Sequence, residues 1–69
     1  MREITISANI ADLRRKKGIT QEQLAIALNV SPQAVSKWES GVSDPSTSNL
    51  LALARLFGVS AEELLRDVK

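Results

Sequence analysis

Residues 20–41, TQEQLAIALNVSPQAVSKWESG, restrict the fold of this 69-residue chain more than any other stretch. Thr20 is a good N-cap residue, and Gln23, three positions later, can complete a capping box, so a helix is predicted to begin here. Asn29 tolerates the left-handed backbone conformation in which helices commonly end. Ser31 can cap another helix two positions later, so the stretch predicts two short helices joined by a tight turn.

The rest of the chain carries start and stop signals for three more helices. The first is predicted from about Ser7 to Gly18, because glycine adopts the left-handed conformation without steric cost. The fourth is predicted between Ser46 and Gly58, and the last one opens at Ser60.

These signals together predict an all-α fold, a compact bundle of five short helices over residues 7–67, preceded by an N-terminal arm of residues 1–6. Helix three covers about residues 32–40, because Pro32 suits a first turn and Gly41 ends the helix. Glu63 can complete a second capping box at the start of the last helix.

Apolar residues recur at helical spacing and define the predicted core. Ile6, Ile10 and Leu13 are four and three positions apart, which places them on one face of the first helix. Ala25 is small enough to let another helix approach closely. The apolar residues assigned to the other helices are Leu24, Ala27, Leu28, Val35, Trp38, Leu50, Leu53, Ala54, Phe57, Leu64 and Leu65.

Composition argues against several classes of protein. The chain contains no cysteine and no histidine, so a disulfide is impossible and a zinc site is not expected. No apolar run is long enough to span a bilayer and nothing resembles a signal peptide, so we expect a cytoplasmic protein without a membrane partner. No nucleophile–base pair or glycine-rich phosphate loop is present, so we expect neither an enzyme nor a cofactor nor a small-molecule ligand.

The net charge of +1 does not by itself indicate a polyanionic partner. Position is more informative, because residues 14–17 form the basic run RRKK. A solvated helix end explains such a run equally well, since cations are favourable at the negative end of the helix dipole. The basic run therefore leaves nucleic-acid binding open.

The chain repeats its central pattern once. Residues 24–35, LAIALNVSPQAV, align with residues 53–64, LARLFGVSAEEL, so spacing alone predicts two helix-turn-helix units. The second unit opens its final helix with Glu62 and Glu63, which suit the helix dipole but would repel phosphate. The first unit has no acid on the outer face of its second helix, so only this unit is predicted to lie against DNA.

That outer face carries four hydrogen-bonding side chains: Gln33, Ser36, Lys37 and Ser40. Gln33 can pair with adenine N6 and N7, and Lys37 with guanine O6 and N7. Ser36 and Ser40 can contact bases or phosphates, or simply keep the face small. Gln21, in the first turn of helix two, is placed to contact phosphate through its side chain and a backbone amide. Any surface helix can display a glutamine and a lysine, so an ordinary solvated face is the alternative.

Glu39 lies beside Val35 by helical spacing, toward the core and away from the outer face. A partly buried carboxylate needs a partner. Arg14, on the same side of helix one as Ile10 and Leu13, is the candidate. We therefore predict an Arg14–Glu39 ion pair that connects helix one to helix three.

Several motifs resemble those of the XRE-type (Cro and lambda-repressor-like) helix-turn-helix family. They are LR at 13–14, GITQEQLA at 18–25, VS at 30–31, VSKWE at 35–39, Gly41, Pro45, LA at 53–54 and FGVS at 57–60. The resemblance covers roughly residues 7–66 and implies a five-helix DNA-binding domain, usually a homodimer on a near-palindromic operator.

By position, the resemblance implies base contacts by Pro32, Gln33, Ser36 and Lys37. It implies phosphate contacts by Gln21, Ser31 and the loop after Gly41, for which the candidates are Val42 and Ser43. Ser40, on the outer face at the end of helix three, is a further candidate for a phosphate contact.

The chain departs from the family pattern at two places. Asn29 stands where the family often has glycine, a tolerable change. Val42, Ser43 and Asp44 stand where the family often has Lys or Arg, so this loop contributes no positive charge. Modest DNA affinity with a shallow salt dependence is therefore expected.

The leading interpretation is a sequence-specific regulator of transcription, with a repressor favoured, that places helix three in the major groove of a double-stranded operator. The alternative is a protein-interaction module, such as an antitoxin or adaptor, with weak or no DNA binding. If the protein is a homodimer, Leu56, Leu65 and Val68 are possible interface residues, although single exposed apolar residues are ordinary.

Overall fold

The computed structural model describes the backbone of residues 5–65 and the side chains of residues 6–65. Within that range the chain forms five helices and no strand. The helices are α1 (Thr5–Lys17), α2 (Gln21–Leu28), α3 (Pro32–Ser40), α4 (Thr47–Phe57) and α5 (Ala61–Leu64). The predicted all-α class with five short helices is confirmed.

Helix α1 begins earlier than the sequence predicted. Thr5 and Ile6 are helical and do not belong to a separate arm. Ile6 lies one turn before Ile10 and packs partly buried against the core, and a helical backbone places both residues on one face. Residues 1–4 of the predicted arm and residues 66–69 lie outside the described range.

Local capping fixes where the helices begin and end. The Thr20 hydroxyl accepts the Gln23 N–H at 3.0 Å, and the Gln23 Oε1 accepts the Thr20 N–H at 2.8 Å, so the predicted capping box is present. Asn29 ends α2 in the left-handed conformation, at φ 60° and ψ 44°. At α5, the Ser60 hydroxyl accepts the Glu63 N–H at 3.1 Å, which is the serine half of the second predicted box.

The core forms where α1 packs against α3, α4 and α5 and where α2 packs against α3 and α4. Its buried side chains come from all five helices: Ile10, Leu24, Ala25, Val35, Trp38, Leu53, Ala54 and Leu64. Val35 and Trp38 anchor α3 in this core. The opposite side of α3 therefore faces outward.

Two predictions about buried residues were wrong. Ala27 is exposed and Ala25 is buried, because α3 and α4 both pack on α2 and centre its buried face between Leu24 and Ala25. Leu65 lies one residue beyond the end of α5 and is half exposed, whereas Leu64 is fully buried. Neither difference follows from local spacing, since both depend on where neighbouring helices lie.

Candidate nucleic-acid interface

Helix α3 has two chemically different faces. Val35 and Trp38 are buried, and Ala34 is partly buried beside them. The outward side, which we call the α3 outer face, exposes Pro32, Gln33, Ser36, Lys37 and Ser40. None of these residues is acidic. The α3 outer face therefore offers hydrogen-bonding groups and one cation to a ligand, without a carboxylate that would repel phosphate.

The repeated unit at α4–α5 has similar backbone geometry but different chemistry. Asn29 and Gly58 both adopt the left-handed conformation, with φ of 60° and 71°. The helix after Gly58 is only four residues long, and its first turn exposes Glu62 and Glu63. Among the described helices, α3 is thus the better candidate for contact with a polyanion.

Arg14 and Glu39 form the predicted ion pair. The Arg14 Nε donates to Glu39 Oε2 at 2.6 Å, and its Nη2 donates to Glu39 Oε1 at 3.1 Å. The two side chains are only 13% and 7% exposed. Arg14 Nη1 also donates to the Ile19 carbonyl at 2.9 Å. One guanidinium therefore holds α1, the α1–α2 loop and α3 together.

The surroundings of Glu39 favour its ionised form. Burial is the largest single influence and raises the pKa of Glu39, but several opposing influences outweigh it. These are the hydrogen bonds from Arg14 and Gln21 and the positive charges of Arg14 and Arg15, which together hold the pKa below its ordinary value. Glu39 is therefore a paired carboxylate and not a free acid beside the α3 outer face.

Gln21, which the sequence predicts as a phosphate contact, makes a hydrogen bond that the sequence did not indicate. Its side-chain Nε2 donates to Glu39 Oε1 at 2.9 Å, so Gln21 belongs to the same cluster as the ion pair. The two residues are 18 positions apart and lie on different helices. Only general chemistry indicated that Glu39 could accept another hydrogen bond, because a carboxylate has about four acceptor sites and one arginine uses only two of them.

The two serines at the ends of α3 that were predicted to contact phosphate differ in whether their hydroxyl protons are free to donate a hydrogen bond. The Ser31 hydroxyl accepts the Ala34 N–H at 3.2 Å, so its own proton remains a donor for a phosphate oxygen. The Ser40 hydroxyl donates to the Lys37 carbonyl at 3.2 Å. A phosphate contact by Ser40 therefore requires its hydroxyl to rotate away from Lys37.

The loop after α3 is less suited to phosphate than the resemblance implied. The N–H groups of Val42 and Ser43 both donate to the Lys37 carbonyl, at 3.0 Å and 3.3 Å. Val42 is 72% exposed, but its side chain is apolar and its N–H is already bonded. Val42 therefore retains no donor for a phosphate oxygen. Ser43 retains its hydroxyl. The loop folds back on the end of α3, so the backbone N–H groups of Val42 and Ser43 already have an acceptor.

The predicted interface residues for a homodimer are in different environments. Leu56 is partly buried and packs against the core, while Leu65 is half exposed. Val68 lies outside the described residues. Of these three residues, Leu65 is the one whose side chain is seen at the surface.

Two features are absent from residues 5–65. None of the described helices combines the length and the apolar composition that crossing a bilayer requires. The same part of the chain contains no cluster of three or more acidic side chains able to hold a metal ion.

Comparison with known proteins gives consistent matches. A helix-turn-helix family model matches residues 10–64. The chain is 46% identical over 56 residues to the transcriptional activator BcrR of Enterococcus faecalis, which covers 81% of this chain and 28% of BcrR. It is 38% identical over 64 residues to the transcriptional regulator DicA of Escherichia coli, which covers 93% of this chain and 47% of DicA. The chain thus spans less than half the length of these two relatives.

The fold also matches solved structures. The crystal structure of the P22 c2 repressor in complex with a synthetic operator superposes with a TM-score of 0.84 and 34% identity, over 88% of this chain and 92% of that chain. The family match extends from α1 to the end of α5 and is not confined to the α2–α3 turn. The chain belongs to the XRE-type (Cro and lambda-repressor-like) helix-turn-helix family.

Proposed function

We propose that this protein is a transcriptional regulator that binds double-stranded DNA sequence-specifically, with α3 in the major groove. The observation that carries the proposal is the acid-free α3 outer face, next to which Glu39 is buried against Arg14. The names of BcrR and DicA, and the operator bound to the P22 c2 repressor, support the same function. The docking geometry is that of helix-turn-helix proteins in general.

Base recognition is assigned to every residue of the α3 outer face except Ser40. Gln33 is suited to the N6 and N7 atoms of adenine, and Lys37 to O6 and N7 of guanine. Pro32 supplies an apolar surface for a thymine methyl group. Ser36 is small and polar and can contact a base edge between Gln33 and Lys37.

Phosphate contacts are assigned mainly to Gln21 and Ser31. Gln21 lies in the first turn of α2, where backbone N–H groups have no acceptor within the helix. Ser31 retains a hydroxyl proton. Ser40 and Ser43 can add hydroxyl contacts, whereas Val42 is no longer assigned one. This modest set of contacts predicts a weak dependence of affinity on salt.

We further propose that the protein binds its operator as a homodimer, because one recognition helix reads only a few base pairs. Repression is expected wherever the operator overlaps a promoter. Sedimentation of the protein with duplexes that carry one or two half-sites tests the dimer. Two protomers should bind the double site, about one helical turn apart, and binding should be tighter than to the single site.

The decisive experiment is selection of duplexes from a random library, followed by affinity measurements at two salt concentrations. Gln33→Ala or Lys37→Ala should each cost about 1–3 kcal/mol and relax specificity at one base position. Lys16→Ala is the control, because it removes one positive charge from α1 at an exposed pair with Asp12. It should leave base specificity unchanged. Failure to bind any duplex at low salt would instead favour a protein-interaction module.

A further inference from the structure

We propose that Glu39 is a positioning residue for the phosphate contact made by Gln21. The inference rests on the proposed function and deepens it, because it identifies a residue that orients a DNA contact without making one. Glu39 lies on α3 and Gln21 on α2, so the cluster connects the two helices of the helix-turn-helix unit.

The geometry of the Glu39 carboxylate determines which way the Gln21 amide points. The carboxylate accepts three hydrogen bonds, two from Arg14 at 2.6 Å and 3.1 Å and one from Gln21 Nε2 at 2.9 Å. An ionised carboxylate can only accept hydrogen bonds. A flipped Gln21 amide would place its oxygen against the carboxylate oxygen, which is repulsive. Glu39 therefore fixes the amide nitrogen on its own side.

The same arrangement leaves Gln21 able to bind an anion. An amide nitrogen carries two protons, and Glu39 uses one of them, so a second N–H donor remains. Gln21 is partly exposed and begins α2, where the helix dipole favours negative charge. A side chain already held in place loses less conformational entropy when it binds.

The charges around the cluster also permit a phosphate nearby. Arg14 balances the charge of Glu39 within hydrogen-bonding distance. The exposed Arg15 also acts on the same carboxylate, so the three side chains together carry a charge of +1. The presence of Glu39 therefore does not make this region repulsive to DNA.

A double-mutant cycle separates positioning from a merely structural role. The dissociation constant of a duplex selected with the wild-type protein is measured for wild type, Gln21→Ala, Glu39→Gln and the double variant, at a temperature where circular dichroism shows each to be folded. Each single change should weaken binding about tenfold, and the double variant should be about as weak as one single variant. Losses that multiply to about a hundredfold would overturn the proposal.

Glu22→Gln is a matched control for charge. It removes one negative charge from the exposed first turn of α2, as Glu39→Gln removes one from the cluster. If each substitution acted only by removing a negative charge that repels DNA, both variants would bind DNA more tightly. Positioning predicts that Glu22→Gln binds equally well or more tightly while Glu39→Gln binds more weakly. Tighter binding by Glu39→Gln would contradict the proposal.

A measurement on the wild-type protein remains informative if Glu39→Gln does not fold. The ¹⁵N heteronuclear NOE of the Gln21 side-chain amide should match that of ordered backbone in the free protein. The exposed Gln33 amide, chemically identical, is the control and should be mobile. Equal mobility of the two amides would overturn the proposal.

The outcomes also distinguish this inference from the proposed function. If the wild-type protein binds DNA but the losses multiply or the Gln21 amide is mobile, only the positioning role is wrong. If the wild-type protein binds no duplex at low salt, the DNA-binding function is wrong and the positioning role is wrong with it.

Discussion

Arg14 and Glu39, 25 positions apart in the chain, share two hydrogen bonds in a site that is almost closed to solvent. Arg14 comes from α1 and Glu39 from the last turn of α3. The pair therefore fixes α3 relative to the rest of the bundle in a small domain whose sequence contains no cysteine for a disulfide. It also keeps the acidic residue of α3 away from the outer face.

Arg14→Ala should strongly destabilise the fold, because it leaves the nearly buried Glu39 carboxylate without its cation. We expect a loss of about 3 kcal/mol in the free energy of unfolding. Urea denaturation followed by fluorescence of the buried Trp38 measures this change. Asp12→Ala breaks the exposed Lys16–Asp12 pair and should change stability by about 0.5 kcal/mol or less. Equal effects of the two substitutions would contradict the expectation.

Glu39 should make stability depend on pH in the acidic range. Its pKa is lower in the folded protein than in the unfolded chain, so the unfolded chain binds more protons as the pH falls. The contribution of Glu39 is fully present above the unfolded pKa of about 4.3 and is lost as the pH falls through the folded pKa. Urea titrations should show the stability difference between wild type and Glu39→Gln shrinking below that pH. A difference that grows on acidification would disprove this.

Gly58→Ala should cost about 1 kcal/mol, because an added Cβ has no heavy atom within 4 Å but φ is +71°. The penalty comes only from the left-handed backbone, so the melting temperature should fall by about 4–8 °C.

Asn29→Gly is the converse test at the equivalent stop of α2, where φ is 60°. It should leave the melting temperature nearly unchanged or raise it. A large loss on Asn29→Gly would show that the asparagine side chain makes a stabilising contact.

Val42→Lys should tighten DNA binding and steepen its salt dependence. The Val42 side chain is largely exposed and its N–H already donates to the Lys37 carbonyl, so a lysine can be accommodated without disturbing the core. One added phosphate contact should make the slope of log K against log salt more negative by about 0.9. Fluorescence anisotropy over a salt series measures this slope. Leu51→Lys adds the same charge on the exposed part of α4, and an equal change there would argue against a contact by the loop.

The sequence by itself determined the number of helices and most of their ends. The N-caps of α2 to α5 are contacts between residues three positions apart, as in Thr20 with Gln23 and Ser46 with Asn49, and α2, α3 and α4 end at left-handed residues only a few positions from their hydrogen-bond acceptors. Such contacts need no tertiary partner, so the pattern of side chains is sufficient to predict them. The acid-free α3 outer face is also a property of the sequence, once helical spacing and the buried Val35 and Trp38 are known.

Tertiary structure decided how the residues around that face are used. Ala25 and not Ala27 is buried, because two helices pack on α2 from the side of Ala25. Gln21 meets Glu39 because α2 and α3 are held at a fixed distance and angle. These contacts depend on the relative placement of whole elements, which packing sets and which no local pattern in the sequence encodes.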